Sequence, residues 1–457
     1  MLATIAARDQ RLNSRPTVAV QNPNTGHNRS RTVYVDLRSP HEFFTTGDEV
    51  CGHVRVHPTE RPNGITIAFS GQCKMTIVTG GSQKTTSKIH RSTLELFSAS
   101  RSLFDSQTSG ESYEIINKGL GADGNVELPF KFTFPDVVKM KPSDTYKPRY
   151  GFEHEAGHQL PPSCLYDENK VEYLLEVHIY KTANRSLCEI IQLALPFRPT
   201  ASSRPSPTTI NLPNNSEICM RGHHLNPKNE QNPGVLTKLK WSTLSKYQHA
   251  IPEARWRIAA KCPFRLVAGK VVPISFSVSH LGHTPDIPET PIVYARQVRV
   301  KLTSILTVRI PYQGITGTRD TIREHEKVIT DKVFVVGEQV LRDGLRMDEI
   351  GKLKLPPTIL PSFKTYGLRL SYRIKIVVQG NCALESFSVT TLRDLCEIVC
   401  DVQRQERNAP MTVTAGASSS TPLQHQQVID GQLPAYDPAP RYTREVSSVC
   451  AQMPSGP

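Results

Sequence analysis

The chain has 457 residues, of which 38% are hydrophobic and 7% aromatic, and its formal net charge is +13 at pH 7. No segment approaches the roughly 18 apolar residues of a membrane-spanning helix, and we expect no secretory signal peptide at the start. The positive charge favours acidic partners, but the sequence contains no recognisable nucleic-acid-binding module, so we expect no nucleic acid among them.

Short segments with an apolar residue at every second position follow one another through the first half of the chain. They are residues 32–37, 50–56, 65–69, 73–78, 128–134 and 172–179. This alternation is typical of antiparallel strands with one buried and one solvated face. A short helix is predicted over 94–104. Residues 1–30 are polar and without a period, and they are predicted to be disordered.

The same pattern returns in the second half after an interruption. Residues 201–250 are rich in Pro, Ser and Asn and predict a linker or insertion. Further strands are predicted at 256–260, 271–278, 296–308, 332–336, 368–378, 387–389 and 395–399. Residues 402–457 are polar with few large apolar side chains, which predicts a disordered tail.

An internal repeat links the two halves. Pro162-Ser163 stands before Tyr173 with the same spacing and order that Pro361-Ser362 has before Tyr372. Each tyrosine opens an alternating strand. Matching order, spacing and alternation predict that one β-sandwich unit is duplicated, with lobes at 31–200 and 251–401.

These segments resemble the arrestin family, and specifically the α-arrestins, or arrestin-related trafficking adaptors. The segments that carry the resemblance are Gly47-Asp48-Glu49-Val50-Cys51-Gly52, the Phe-rich strand from Glu127 to Pro135, the turn from Leu160 to Ser163 before Tyr173, and the turn from Leu360 to Phe363 before Tyr372. The order of the segments across both halves is more specific than any one of them. The buried charged core that visual and β-arrestins use to sense phosphate is not identified in the sequence.

The resemblance implies an all-β protein made of two immunoglobulin-like β-sandwich lobes, without a catalytic centre, metal or cofactor. It implies an adaptor that bridges membrane transporters or receptors to a HECT-type ubiquitin ligase for ubiquitin-dependent endocytosis and sorting. Its expected place is the cytoplasm, at the plasma membrane and endosomes. The alternative is an arrestin-like trafficking scaffold that binds coat or signalling proteins without a ligase.

The tail contains a candidate ligand for WW domains, formed by Leu433, Pro434 and Tyr436. Pro434 favours polyproline II geometry, which lowers the ordering cost when a peptide docks in an aromatic groove. Pro440 and Tyr442 form a possible second contact that would add avidity. The third Pro-x-Tyr segment, at residues 148–150, is predicted to lie in a folded lobe and to be incidental.

Two sets of basic residues are further candidates. Lys228, Lys238, Lys240 and Lys246 are possible ubiquitin acceptors, or ordinary linker charges, because no lysine occurs after residue 401. Within 296–302, alternation directs Arg299 and Lys301 outward, which predicts a face for acidic cargo tails or anionic membrane. An ordinary solvated face or a protected sheet edge is the alternative.

Two motifs suggest enzymes. His154, Glu155 and His158 match the zinc-protease pattern HExxH, which needs a helix. Gly157 inside the motif and Pro161-Pro162 after it disfavour that helix. Residues 119–124 match GxGxxG, but a predicted strand follows instead of the helix that a dinucleotide site requires. Both motifs are therefore interpreted as loops.

Overall fold

The computed structural model describes residues 17–21, 32–38, 42–57, 59–60, 62–80, 87–106, 124–180, 187–200, 216–222, 225, 251–314, 317–383 and 385–400. These residues belong to one unit that ends at Arg404; a second unit, Gln405–Pro457, lies outside them. The described part is nearly all β, with several antiparallel sheets, which is consistent with a β-sandwich class. No helix within it is long and apolar enough to cross a membrane.

Ten strands precede residue 222 within the described ranges. They are β1 Thr17–Gln21, β2 Val33–Leu37, β3 Glu49–Val56, β4 Gly64–Thr79, β5 Lys88–Asp105, β6 Val126–Thr133, β7 Cys164–Tyr166, β8 Asn169–Tyr180, β9 Leu187–Ala194 and β10 Ser216–Arg221.

Between residues 251 and 400, the described part contains eight strands and one short helix. They are β11 Glu253–Lys261, β12 Arg265–Val267, β13 Ser275–His283, β14 Val293–Gly314, β15 Gly317–Val340, α1 Met347–Ile350, β16 Phe363–Lys364, β17 Leu368–Cys382 and β18 Glu385–Val399.

Two large sheets have the same strand order. The first sheet runs β1-β9-β8-β4-β5, and β7 pairs with β8. The second sheet runs β12-β18-β17-β14-β15, and β16 pairs with β17. In each of them the first strand is parallel to its neighbour and the rest are antiparallel. Two smaller sheets, β2-β3-β6 and β10-β11-β13, complete the described fold.

The repeated Pro-Ser turn and tyrosine form the same hydrogen bonds in both large sheets. The Tyr173 hydroxyl donates to the carbonyl oxygen of Pro161 at 2.6 Å. Ser163 Oγ accepts a hydrogen bond from the backbone N–H of Phe197 at 2.9 Å. In the second sheet the hydroxyl of Tyr372 donates to a turn carbonyl at 2.7 Å. Each turn is thereby fastened to the strand that opens at its tyrosine.

The core follows from the alternation that the sequence predicts. Strand β4 alternates between buried and partly exposed residues almost throughout, and Ile65, Ile67 and Phe69 on its inner face are at most 1% exposed. Aromatic rings fill the space beneath β4, where Phe134 packs edge-on against Phe69 with centroids 4.9 Å apart. Burial of apolar area of this kind contributes roughly 25 cal/mol per Å².

Three sequence predictions about local structure were wrong. Residues 94–104 form part of strand β5 and not a helix. The sequence pattern did not show this strand, because bulges in it opposite β4 break the period of two. Residues 17–21, inside the segment predicted to be disordered, pair with β9. Residues 216–221, inside the predicted linker 201–250, pair with β11. Neighbouring strands supply the hydrogen bonds in both cases, and a short polar pattern does not reveal them.

Candidate functional site

Arg299 and Lys301 lie on strand β14, on the face that the alternation predicts. Their neighbours Val298, Val300 and Leu302 are at most 1% exposed and face the core. Arg299 is exposed and Lys301 is partly exposed. Both side chains therefore belong to the outer face of the second sheet.

The strand register extends Lys301 into a row of cations across the second sheet. Lys301 lies opposite Lys375 on β17, and Lys375 lies opposite Arg393 on β18. We call these three residues the cationic row. Directly opposed residues have Cβ atoms about 4.5–5.5 Å apart, and like charges in such positions destabilise a sheet. Repulsion within the row therefore lowers the stability of the sheet, and an anionic partner would reduce this repulsion.

Arg299 is less available to a partner than the row. Its Nε and Nη2 atoms donate to the two carboxylate oxygens of Asp331 at 2.8 and 2.7 Å. These hydrogen bonds hold the pKa of Asp331 below its ordinary value, and Lys301 adds a smaller electrostatic effect. Within the described residues, Lys375 and Arg393 have no ion pair. The structure thus adds two residues that the sequence analysis missed.

The first sheet shows that this row is not a requirement of the strand order. Its matching row, by register, consists of Ala68, Glu176 and Gln192. There the Gln192 side-chain amide donates to Glu176 at 2.6 Å. The same scaffold positions therefore carry an uncharged residue, an acid and an amide in one sheet, and three cations in the other.

The first sheet also shows how a like-charge pair is normally accommodated. Lys74 and Lys170 lie directly opposite each other. Glu172 bridges them, with both ammonium groups 2.6 Å from its carboxylate oxygens. No carboxylate of the described residues bridges Lys375 and Arg393 in this way. Lys301 lies opposite Asp331, but Lys375 and Arg393 have no carboxylate that compensates them as Glu172 compensates Lys74 and Lys170.

A cleft of about 560 Å³ opens at the end of strand β18. Its apolar wall includes Leu395, Phe264 and Tyr150, whose exposed fractions are 38%, 36% and 98%. Lys364, Arg369, Glu153 and Glu397 line the same cleft. The cleft therefore combines exposed apolar groups with charges of both signs, which suits an amphipathic peptide better than a small apolar molecule.

A buried charge cluster lies elsewhere, between the loop before residue 152 and the hairpin of β14 and β15. The side chain of Arg309 is 1% exposed, and its Nε lies 3.0 Å from Asp320 Oδ2. Its Nη2 donates to the Lys147 carbonyl oxygen at 2.6 Å. Arg149 approaches the same Asp320 oxygen at 3.1 Å. The sequence analysis identified no such cluster, because its members are distant in sequence.

The HExxH segment, residues 154–158, forms a turn flanked by bends and no helix, as the sequence predicts. His158 Nδ1 donates to the backbone carbonyl of Glu155 at 3.0 Å, and its ring packs edge-on against Tyr366. Burial lowers the pKa of His158. The described residues contain no group of three potential metal-binding side chains. Of the GxGxxG segment only Gly124 is described, and strand β6 begins two residues later.

The other predicted site residues lie outside the described residues. They are Leu433, Pro434, Tyr436, Pro440 and Tyr442 in the tail, and Lys228, Lys238, Lys240 and Lys246 between the two halves.

The eight cysteines that the structure describes are free thiols.

No family model matches this chain, and no curated protein matches it.

Proposed function

We propose that the protein is an adaptor of the arrestin type that links membrane cargo to a HECT-type ubiquitin ligase. In this proposal two β-sandwich lobes bind the cytoplasmic tails of transporters or receptors. The tail motif at Leu433, Pro434 and Tyr436 binds a WW domain of the ligase. The protein itself performs no catalysis and acts at the plasma membrane and endosomes.

The observation that carries the proposal is the duplication within the fold. Two large sheets share one strand order, and each is fastened by a tyrosine hydroxyl bound to a turn carbonyl. That arrangement supports the arrestin resemblance, from which the adaptor role is inferred. The cationic row supports a partner that is acidic.

The tail motif is tested with the full chain and a purified WW domain of a HECT-type ligase. We expect binding in the micromolar range, as is usual for short polyproline ligands, and its loss in Tyr436→Ala. Tyr442→Ala should weaken binding only slightly if Pro440 and Tyr442 form a second contact. Tyr150→Ala is the matched control, because Tyr150 has the same Pro-x-Tyr spacing and is 98% exposed.

Binding that is absent, or that is indifferent to Tyr436, would refute the link to the ligase. The scaffold alternative, in which the same lobes bind coat or signalling proteins, would then be the better explanation. If the ligase does bind, the positions of ubiquitin on the adaptor itself can be mapped by mass spectrometry. Lys228, Lys238, Lys240 and Lys246 are the acceptors that we expect.

A further inference from the structure

The two large sheets differ at one edge, and the repeated anchors show which residues correspond. Ser163 Oγ accepts from Phe197 N–H, and Ser362 Oγ accepts from Ile398 N–H, each at 2.9 Å. Phe197 therefore corresponds to Ile398. The pairing of β8 with β9 and of β17 with β18 keeps this correspondence for residues 191–193, which match residues 392–394. A bulge opposite Ile376 and Val377 shifts the register beyond them.

In the first sheet this edge is occupied. Strand β1 pairs in parallel with residues 189–193 of β9. A second contact follows further along, where Phe44 forms a parallel bridge with Phe197. In the second sheet β12 takes the place of the Phe44 bridge and pairs with residues 397–399. No strand of the described part of the chain lies beside residues 391–396, of which residues 392–394 correspond to the part of β9 that β1 covers.

Along this edge, backbone groups of β18 point away from β17, and no described strand pairs with residues 391–396. The Glu397 N–H points away from β17, because it donates to the carbonyl oxygen of Phe264 at 2.7 Å. Backbone groups in a strand alternate between its two sides, so those of Leu395 and Arg393 point the same way. The Leu395 N–H is bound by the neighbouring carboxylate of Asp394 at 2.7 Å instead of by a strand. An edge of this kind is a template for another strand.

We propose that residues 391–396 of β18 bind an extended acidic peptide of a partner protein, which adds to the second sheet as a parallel strand. Acidic side chains at alternate positions of this guest strand lie next to Arg393 and extend the cationic row with charge of the opposite sign. Apolar side chains at its end reach the cleft formed by Phe264 and Leu395. The proposal deepens the proposed function and rests on it, because it states how the cargo segment is held.

Parallel orientation and acidic character both follow from the described residues. β1 and β12 are parallel to the strands that they join, so the scaffold already accepts this direction at the same edge. Lys375 and Arg393 lack a carboxylate partner within the described ranges, and a guest strand beside β18 brings acidic groups within cross-strand distance of Arg393. Main-chain hydrogen bonds supply affinity in this mode, and alternate side chains supply specificity.

The test uses the full chain and a fluorescent ten-residue peptide of alternating Glu and Val, with binding measured by anisotropy. A Lys-Val peptide of equal length should bind at least tenfold more weakly. Two further peptides carry N-methyl groups, one on all Glu amides and the other on all Val amides. Because a strand pairs along one side only, one of these peptides should lose binding and the other should keep it.

Variants of the chain locate the site. Arg393→Glu should weaken binding of the Glu-Val peptide at least tenfold, and Lys375→Glu should weaken it severalfold. Arg101→Glu is the matched control, since Arg101 is exposed on the edge strand of the first sheet and the change in net charge is the same. Its effect should be less than twofold. Amide hydrogen exchange of Arg393 and Leu395, whose N–H groups point away from β17, should slow when the peptide binds.

Three results would overturn the proposal. One-sided backbone pairing would be excluded if both N-methylated peptides lost binding, or if both kept it. Equal effects of Arg393→Glu and Arg101→Glu would show attraction by net charge alone. Amides of Arg393 and Leu395 that are already protected without peptide, to the level of the amides that face β17, would mean that another segment of the chain, or a second copy, occupies the edge. Arg393→Glu leaves the tail motif intact, so a failure here is distinguishable from a failure to bind a WW domain.

Discussion

The hydroxyl group of Tyr372 donates a 2.7 Å hydrogen bond to the carbonyl oxygen of Leu360, twelve positions earlier in the chain. Tyr372 is 1% exposed, so water does not replace this bond when it is lost. The equivalent bond from Tyr173 to Pro161 is 2.6 Å long, with the same separation in sequence. The two bonds fasten corresponding turns to corresponding strands.

Tyr372→Phe should destabilise the protein by about 1–2 kcal/mol, because the Leu360 carbonyl loses its donor while the ring packing is kept. Tyr173→Phe should cost a similar amount. Urea unfolding measures both effects. Tyr150→Phe, at a fully exposed position, should change the free energy of unfolding by less than about 0.5 kcal/mol. A cost for Tyr372→Phe as small as that of Tyr150→Phe would contradict the anchoring role.

Removal of the Arg309 side chain should be among the most destabilising single changes. In Arg309→Leu, Asp320 and the Lys147 carbonyl lose a partner in a mostly buried place, which costs about 3–5 kcal/mol. Arg149→Gln removes a contact to the same carboxylate from a half-exposed side chain and should cost at most about 1 kcal/mol. Urea unfolding of the two variants tests the difference. If both variants lose a similar free energy of unfolding, the burial of Arg309 does not determine its contribution to stability.

Lys375→Glu should stabilise the protein while it weakens the binding of acidic peptides. The change places a carboxylate between Lys301 and Arg393, as Glu176 stands in the matching row of the first sheet. The expected gain is on the order of 0.5 kcal/mol for each pair at low salt. It should shrink in 1 M salt, where the Debye length is about 3 Å. Unfolding at both salt concentrations, with Lys375→Gln as an intermediate, tests the electrostatic origin.

Glu172 should contribute a pH-dependent part of the stability. Burial raises its pKa, but hydrogen bonds from Lys170 and Lys74 outweigh burial and hold the pKa below its ordinary value. Because its pKa is lower in the folded state, ionised Glu172 stabilises the folded protein at pH values above the ordinary carboxyl pKa of about 4.3. This contribution is lost as the pH falls below that value and through the lowered pKa. In Glu172→Gln the melting temperature should therefore fall less steeply between about pH 5 and pH 3. Parallel curves for the two proteins would refute this contribution.

Much of the strand content was predictable from the sequence, because burial on one face leaves a local period of two. Strands β3, β8 and β17 alternate as predicted, and the spacing of Pro162-Ser163 and Tyr173 predicted a repeated unit. The hydrogen bonds of Tyr173 and Tyr372 to the turn carbonyls came only from the structure. Strand β5 was not predicted, because its bulges and its exposed edge position break the period. The alternation of apolar and polar residues thus predicts strands well where the strand has no bulge and one face of the sheet packs against the core.

The candidate site was only partly predictable. The alternation around Val300 showed that Arg299 and Lys301 face outward, since that depends on neighbours in the same strand. Nothing in the sequence showed that Asp331 neutralises Arg299, or that Lys375 and Arg393 continue the row from Lys301. Those relationships depend on the register between strands that are tens of residues apart.

The sequence by itself determined the all-β class, the outward position of Arg299 and Lys301, and the repeated anchor of Pro, Ser and Tyr. Each of these features depends on residues that are close in the sequence, because side-chain burial along one strand and turn formation are local effects. The tertiary structure alone decided which cations lack a carboxylate and that Arg309 is buried beside Asp320. It also decided that residues 391–396 of β18 have no described neighbour on the side away from β17. Strand pairing brings distant residues together, and its register depends on the packing of the whole sheet.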